Sequence, residues 1–303
     1  MKITILGTSS AVPLPNRNLS GTLLHYENEY VLFDCGEGTQ FHLKKLAIHT
    51  GRIRVICITH LHGDHVFGLL GLLSGLYFGD ESTVLTLIGP RGLKSILDVS
   101  LQNQQFYINY KYEIIELDFI ENPKKIFETE RYEIRTVSLD HRIPAFGYRF
   151  QEKDRAGSVN LEKVEKHGIE IGPKLKELKK GNSVQAADGH WVLPEEILDP
   201  PKIGKSYCYL TDTRYCERTI KLAEHANLIM HESTYLDEMK EKAIQTGHST
   251  SLDAGTIAKN ANVDKLILFH FSSRYVRLKP LLDEAKSVFG NTILGKDLET
   301  YEI

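Results

Sequence analysis

The stretch Val55-Ile-Cys-Ile-Thr-His60-Leu-His62-Gly-Asp64-His65 decides how the rest of the chain is read. An uncharged, largely β-branched run has the composition of a buried strand, and here it runs straight into three histidines and an aspartate within six residues. A buried strand rigidly aims whatever follows it. His60 and His62, two apart in extended chain, share one side of the strand end, and Gly63 permits the turn that brings Asp64 and His65 round to a second point. Neutral imidazoles and a carboxylate are the ligands of borderline divalent metals such as zinc. With 13 histidines and 15 aspartates among 303 residues, chance places an HxHxDH pattern in roughly one such sequence in a thousand, so coincidence is the weaker explanation.

Outward from this segment, short β-branched or aromatic runs recur at Ile3 to Leu6, Tyr30 to Asp34, Val84 to Ile88, Tyr132 to Ser138, Phe146 to Phe150, Tyr207 to Thr211, Leu228 to His231, Leu266 to His270 and Thr292 to Leu294. Each is bounded by polar or Gly/Pro punctuation and is predicted to be a strand. Helix-like apolar spacing is found in Gln40 to Ile48, Val66 to Tyr77, Leu93 to Gln102, Glu217 to His225, Leu252 to Asn260 and Leu278 to Phe289. The mixture predicts a layered α/β protein with sheets covered by helices. Three further metal-binding candidates stand where strands end: His141, Asp212 and His270. Taken singly, each has a bland alternative as a partly buried histidine or a turn aspartate.

Between about Gln151 and Gly204 strand signals thin out, and from Lys163 to Gly181 six lysines stand against three glutamates. This is either a solvated helix surface or a projecting basic element. The whole chain has 37 Lys+Arg against 40 Asp+Glu, a net charge of −3, so it is not a polycation that holds nucleic acid by bulk charge; any such binding needs a local patch. Cys35, Cys57, Cys208 and Cys216 are scattered without a CxxC pair, which fits a reducing compartment. The opening MKITILG, with Pro13 and Pro15 close behind, is predicted to be a first strand and not a signal peptide. No stretch approaches the ~18 to 20 uncharged apolar residues of a membrane span. A soluble, cytoplasmic protein with no membrane and no nucleotide cofactor is expected.

With these residues in view the chain resembles the metallo-β-lactamase superfamily, and within it the short-form tRNase Z family, over essentially its whole length. Asp34 in LFDCGEGTQ, the HLHGDH segment, His141, Asp212 in LTDT and His270 in LFHFSSRY carry the superfamily resemblance. The narrower one rests on ILGTSSAVP followed by Asn16-Arg17-Asn18, on PPKIG at Pro200 to Gly204, on HEST at His231 to Thr234, and on GHST at Gly247 to Thr250. Two departures are small: HEST stands where the family usually has HEAT, and a serine of GTSSAVP is often glycine. The resemblance implies one domain over residues 1–303, a four-layered αββα sandwich, with an inserted projecting tRNA-binding exosite arm at about 152–200.

It further implies a zinc-dependent endoribonuclease that removes the 3′ trailer from precursor tRNA and leaves a 3′-hydroxyl, with two divalent metal ions per subunit activating water. His60, His62, His141 and Asp212 would hold one metal, and Asp64, His65, Asp212 and His270 the other. Asp64 would orient the water and take its proton. Asp34 would hydrogen-bond the histidine ligands. His248, oriented by Glu232, would protonate the leaving oxygen, unless His231 does so or HEST merely caps a helix. Thr8, Ser9, Asn16, Arg17, Asn18 and Lys202 would contact substrate, and the arm lysines, including Lys174, Lys176, Lys179 and Lys180, would grip the tRNA, in a homodimer where each site uses the partner's arm. Two other readings compete: a binuclear phosphodiesterase or lactonase of a small metabolite, which leaves the basic arm and PPKIG without a task, and a catalytically silent scaffold, which would not need all seven ligands.

Overall fold

The computed structural model describes residues 1–79, 82–103 and 108–303. Six strands come first: β1 (Lys2–Gly7), β2 (Gly21–Tyr26), β3 (Glu29–Phe33), β4 (Ile53–Cys57), β5 (Val84–Pro90) and β6 (Lys111–Leu117). Then follow β7 (Lys124–Glu128), β8 (Tyr132–Ser138), β9 (Phe146–Glu152), β10 (Val184–Gln185), β11 (Trp191–Val192), β12 (Ser206–Leu210), β13 (Leu228–Glu232), β14 (Leu266–Phe269), β15 (Thr292–Leu294) and β16 (Thr300–Glu302). Among the described residues these make two seven-stranded sheets, β16-β1-β2-β3-β4-β5-β6 and β15-β14-β13-β12-β9-β8-β7, and a short β10-β11 hairpin.

Aromatic side chains fill the space between the large sheets. Phe33 meets Tyr148, Tyr207 and Tyr209 at ring-centroid distances of 5.5 to 6.2 Å, and Tyr26 meets Phe150 at 5.2 Å. On the outer face of the first sheet, Leu43, Leu69, Leu73, Leu93 and Leu97 pack helices onto Leu32, Ile56 and Leu87. On the outer face of the second, Leu222, Ile257, Ala258, Leu281 and Ala285 do the same for Ile229, Leu266 and Leu268. The result is the αββα sandwich expected from the sequence.

Several elements differ from the sequence reading. Strand β2 was not anticipated, although it is central and buried throughout except at His25; β6, β7 and β16 were also missed, and their alternation of exposed charge with half-buried residues leaves a weak apolar signal. The helix expected over Val66 to Tyr77 is two pieces, Gly63–Val66 and Leu69–Gly75. The break falls at Gly68, whose amide bonds to Cys35 O at 2.9 Å and whose Cα lies so close to Gly36 O that a Cβ would sit 2.1 Å from it. The close approach of two backbones at this point excludes any side chain there.

Residues 151–205, with Thr129–Tyr132, form a second compact unit, the first comprising 1–128, 133–150 and 206–303. The second unit carries its own apolar cluster of Val164, Ile169, Leu178, Val184, Ala186, Val192 and Ile197. Asn160 caps its Leu161–Lys166 helix by accepting from Lys163 N, and Pro173 opens the Pro173–Lys179 helix. No helix among the described residues is long and apolar enough to cross a membrane.

The Tyr148 hydroxyl donates 2.7 Å to Ile58 O across the sandwich, with both groups fully buried. Tyr148→Phe leaves that carbonyl without a partner and is expected to lower stability by about 1–3 kcal/mol; a shift of the urea midpoint at unchanged slope is the measurement.

Candidate metal centre

Strand ends supply the site. Asp34 follows β3, His60 to His65 follow β4, Asp212 follows β12, Glu232 closes β13 and His270 follows β14. Three of these residues leave their strands in the left-handed region, Asp34 at φ 58°, Asp212 at 50° and His270 at 56°. That conformation is uncommon for residues with a Cβ, and here three of the residues that adopt it stand at the strand ends that form the site.

The side chains converge in two sets. His60 Nε2 and His62 Nδ1 are 2.9 Å apart, His62 Nδ1 and His141 Nε2 are 3.4 Å apart, and Asp212 Oδ1 lies 3.7 Å from His60 Nε2. In the second set Asp212 Oδ2 is 3.2 Å from both His65 Nε2 and His270 Nε2. Asp64 Oδ2 stands 3.4 and 3.8 Å from the same two nitrogens. Ligands held ~2.1 Å from one tetrahedral metal stand ~3.4 Å from each other, a value that the separations of 2.9 to 3.8 Å bracket. Asp212 offers one oxygen to each.

Hydrogen bonds on the far side of each ring fix which nitrogen faces inward. The fully buried Asp34 carboxylate accepts from Thr59 N at 2.8 Å, from the Thr59 hydroxyl at 2.9 Å and from His65 Nδ1 at 2.7 Å. With its proton committed to Asp34, Thr59 Oγ1 accepts from His60 Nδ1 at 3.1 Å. Thr234 repeats the device, donating to Glu232 Oε2 at 2.5 Å and accepting from His270 Nδ1 at 3.1 Å. His141 Nδ1 donates to Gly247 O at 2.7 Å. These four rings therefore present Nε2 lone pairs to the centre, and the buried Nε2 atoms of His65 and His270 have no hydrogen-bond partner of their own. Buried, unpartnered and convergent, they fit a metal ion.

The electrostatics agree. Burial pushes His60, His62 and His141 down, keeping them neutral. Burial alone would raise Asp64 and Asp212, but the surrounding histidines outweigh it and hold both carboxyls far below the usual range. At His65 burial opposes a positive charge, yet Asp212 and Asp34 outweigh it and raise its pKa, so the carboxylates facing its Nε2 call for a cation there. The centre is short of positive charge, which a divalent cation supplies.

His248 is placed differently. Its Nδ1 contacts Glu232 Oε1 at 3.1 Å, and Glu232 is fixed by accepting from Thr213 N at 2.7 Å. Burial disfavours a charged His248, but Glu232 and then Asp212 outweigh it and raise its pKa to about 9. With Nδ1 committed to Glu232, His248 stands beside the centre where it can hold a proton. His231 is wholly buried with Nδ1 on Glu232 O, and it does not line the cavity of about 410 Å³ that His62, Asp64, Asp212, His248 and His270 share.

The residues expected to contact substrate divide. Thr8 and Ser9 are buried, their hydroxyls donating to Asp297 and Val12 O. Arg17 is buried with its guanidinium on Tyr275 O, and Asn18 N is bound to Asp297 Oδ2. These four brace the loop and do not present their side chains outward; Asn16 is exposed. In the second unit Lys174, Lys176, Lys179, Lys180 and Lys202 are all exposed, with Lys174 Nζ on Gln185 O and Lys180 Nζ on Glu177. Sequence reasoning missed Thr59, Thr234, Asp297 and Ala11. Ala11, at φ 61°, aims its amide at Asp64 Oδ2 at 2.8 Å. It also missed Arg142, which lines the cavity and whose place directly after His141 was the available signal.

Asp34→Asn tests the orienting network. Asparagine tolerates the left-handed backbone as aspartate does, so the fold is expected to persist, while the lost acceptor for His65 weakens metal affinity ~10 to 100-fold; calorimetric metal titration against wild type checks both.

Comparisons with known proteins fit this geometry. A family model described as Anti-Pycsar protein Apyc1 matches residues 1–153, a span that ends before Asp212, Glu232, His248 and His270. Over the full length the chain is 41% identical to a ribonuclease Z of Prochlorococcus marinus (strain NATL2A), covering 100% of this chain and 99% of the relative. It is 39% identical to a ribonuclease Z of Bacillus cereus, again covering 100% and 99%. The crystal structure of human tRNase Z, short form, superimposes with a TM-score of 0.72 at 29% identity, covering 100% of this chain and 99% of that one. From its strand-end histidines and aspartates to its full-length relatives, the chain belongs to the ribonuclease Z family of metallo-β-lactamase-fold proteins.

Proposed function

We propose that this protein is an endoribonuclease that removes the 3′ trailer from precursor tRNA, leaving a 3′-hydroxyl, with two zinc ions per subunit. The observation that carries the reading is the convergence of two metal-binding sets joined by Asp212, with His248, held by Glu232, beside them at the cavity. His60, His62 and His141 with one Asp212 oxygen would hold one ion, and Asp64, His65 and His270 with the other oxygen the second. When bound, such a pair lowers the pKa of water toward ~7 and stabilises charge on a phosphate.

The chain's own residues divide the remaining work. Asp64, oriented by the Ala11 amide, accepts the proton of the attacking water. As the bond from phosphorus to the ribose 3′ oxygen breaks, His248 gives that oxygen its proton, so the products are a tRNA 3′-hydroxyl and a trailer with a 5′-phosphate. Glu232 keeps His248 charged and aimed. The exposed lysines between Lys163 and Gly181, a stretch with six lysines against three glutamates, serve as the tRNA-gripping arm, a local positive patch on a protein of net charge −3. In a homodimer, as in the family the sequence resembles, the arm of one subunit serves the site of the other. The scattered free thiols suit action in the cytoplasm.

Two experiments test this. Wild type is expected to release the trailer from a 3′-extended precursor tRNA with two metal ions per chain, and His62→Ala to lose both cleavage and metal. Bound metal with intact precursor tRNA, under conditions where a simple phosphodiester is hydrolysed, would transfer the reading to a small-molecule phosphodiesterase. In the arm, Lys176→Glu with Lys179→Glu is expected to raise KM for precursor tRNA and flatten its salt dependence, while hydrolysis of the simple diester stays unchanged.

A further inference from the structure

A second cavity, of about 380 Å³, is lined by Arg91, Asp118, Phe119, His141, Arg142 and the neighbouring Ile143–Pro144 turn. Its size is in the range of small-ligand pockets. Arg142 lines both this cavity and the one that contains Asp64, Asp212 and His248. His141 spans the boundary as well, with Nε2 toward His62 and its residue bordering the second cavity. The two cavities adjoin, and Arg142 stands at their junction.

The second cavity has the parts of a nucleotide subsite. Phe119 is 69% exposed and borders the cavity, so its ring is accessible to a ligand there. Its ring is held by the Arg218 guanidinium, 5.4 Å from the centroid, and Arg218 is anchored in turn to Ser138 O at 2.7 Å and to Glu121 at 3.4 Å. Of the charged side chains that line the cavity, Arg91 and Asp118 pair with each other, and Arg142 is the one with no hydrogen bond or ion pair among the described residues. A braced aromatic ring beside an unpaired guanidinium is the chemistry that binds single-stranded nucleic acid, by stacking a base and meeting a phosphate.

We propose that this cavity takes the 3′ trailer, with a trailer base stacked on Phe119 and a backbone phosphate on Arg142. The inference rests on the endoribonuclease reading above. The occupant follows from shape: a cavity of this volume excludes a duplex acceptor stem, and the flexible single strand that reaches the cut is the trailer.

The test uses two precursor tRNAs with one body and trailers of one or eight nucleotides, cleaved by wild type, Phe119→Ala and Phe119→Trp, with metal content measured on each preparation. Phe119→Ala is expected to raise KM for the long trailer about 5-fold or more, to leave the one-nucleotide substrate within about twofold, and to keep its metal. Phe119→Trp restores the long-trailer KM. Equal effects on both substrates, or none on either, overturn the proposal while the endoribonuclease reading stands. Failure of wild type to cleave either substrate overturns that reading, and this assignment with it.

Discussion

Asp34 has no exposed surface and still carries a carboxylate that accepts three hydrogen bonds, two from Thr59 and one from His65. A buried charge of this kind survives only with its acceptor sites filled and opposite charge nearby. Everything around it follows from that requirement. The proton that His65 gives to Asp34, and the one that Thr59 gives, leave lone pairs of His65 and His60 facing a common centre. Thr234 and the Gly247 carbonyl repeat the arrangement for His270 and His141. These acceptors come from elements far apart in sequence, so the centre exists only once both sheets are formed and stacked in register. The aromatic layer of Phe33, Tyr148, Tyr207 and Tyr209 that joins the sheets is thereby part of the chemistry, since it fixes the spacing of the strand ends.

What the sequence made legible was set by residue type. Histidines and aspartates immediately after apolar runs are rare and interpretable, and His60, His62, His65, His141, Asp212 and His270 stand together in the structure as that pattern implied. The orienting partners were hidden because a threonine hydroxyl, a backbone carbonyl or an alanine amide has no compositional signature; nothing in Thr234 or Gly247 marks them before the fold is known. Thr8, Ser9 and Arg17 misled for the opposite reason. Polar residues in a loop read as outward facing, yet Asp297, near the other end of the chain, draws Thr8 and Asn18 inward. Strand β2 was obscured by the polar loop leading into it, and the division of the helix at Gly68 depends on contact with Gly36, which no local periodicity records.

Residues 151–205 follow a different logic. Their lysine-rich surface was plain in the sequence, but their short helices were not, because a six- or seven-residue helix gives too few turns for a periodic signal. What holds the unit together is its own small apolar cluster, Asn160 at a helix start and Pro173 at another. One unit thus gathers carboxylates and histidines around a centre that seeks cations, while in the other the positive excess is confined to the stretch from Lys163 to Gly181, six lysines against three glutamates.

The left-handed backbone at Asp34, Asp212 and His270 has a consequence for how such a protein changes over generations. Each of these residues gives up roughly a kcal/mol or more of conformational stability relative to a glycine at the same position. For a copy freed from its task, drift toward glycine at these three strand ends would be downhill in folding free energy, and the catalytic endowment would erode first where the scaffold gains most. A chain that keeps all three bears that standing cost at the very strand ends from which the centre is built.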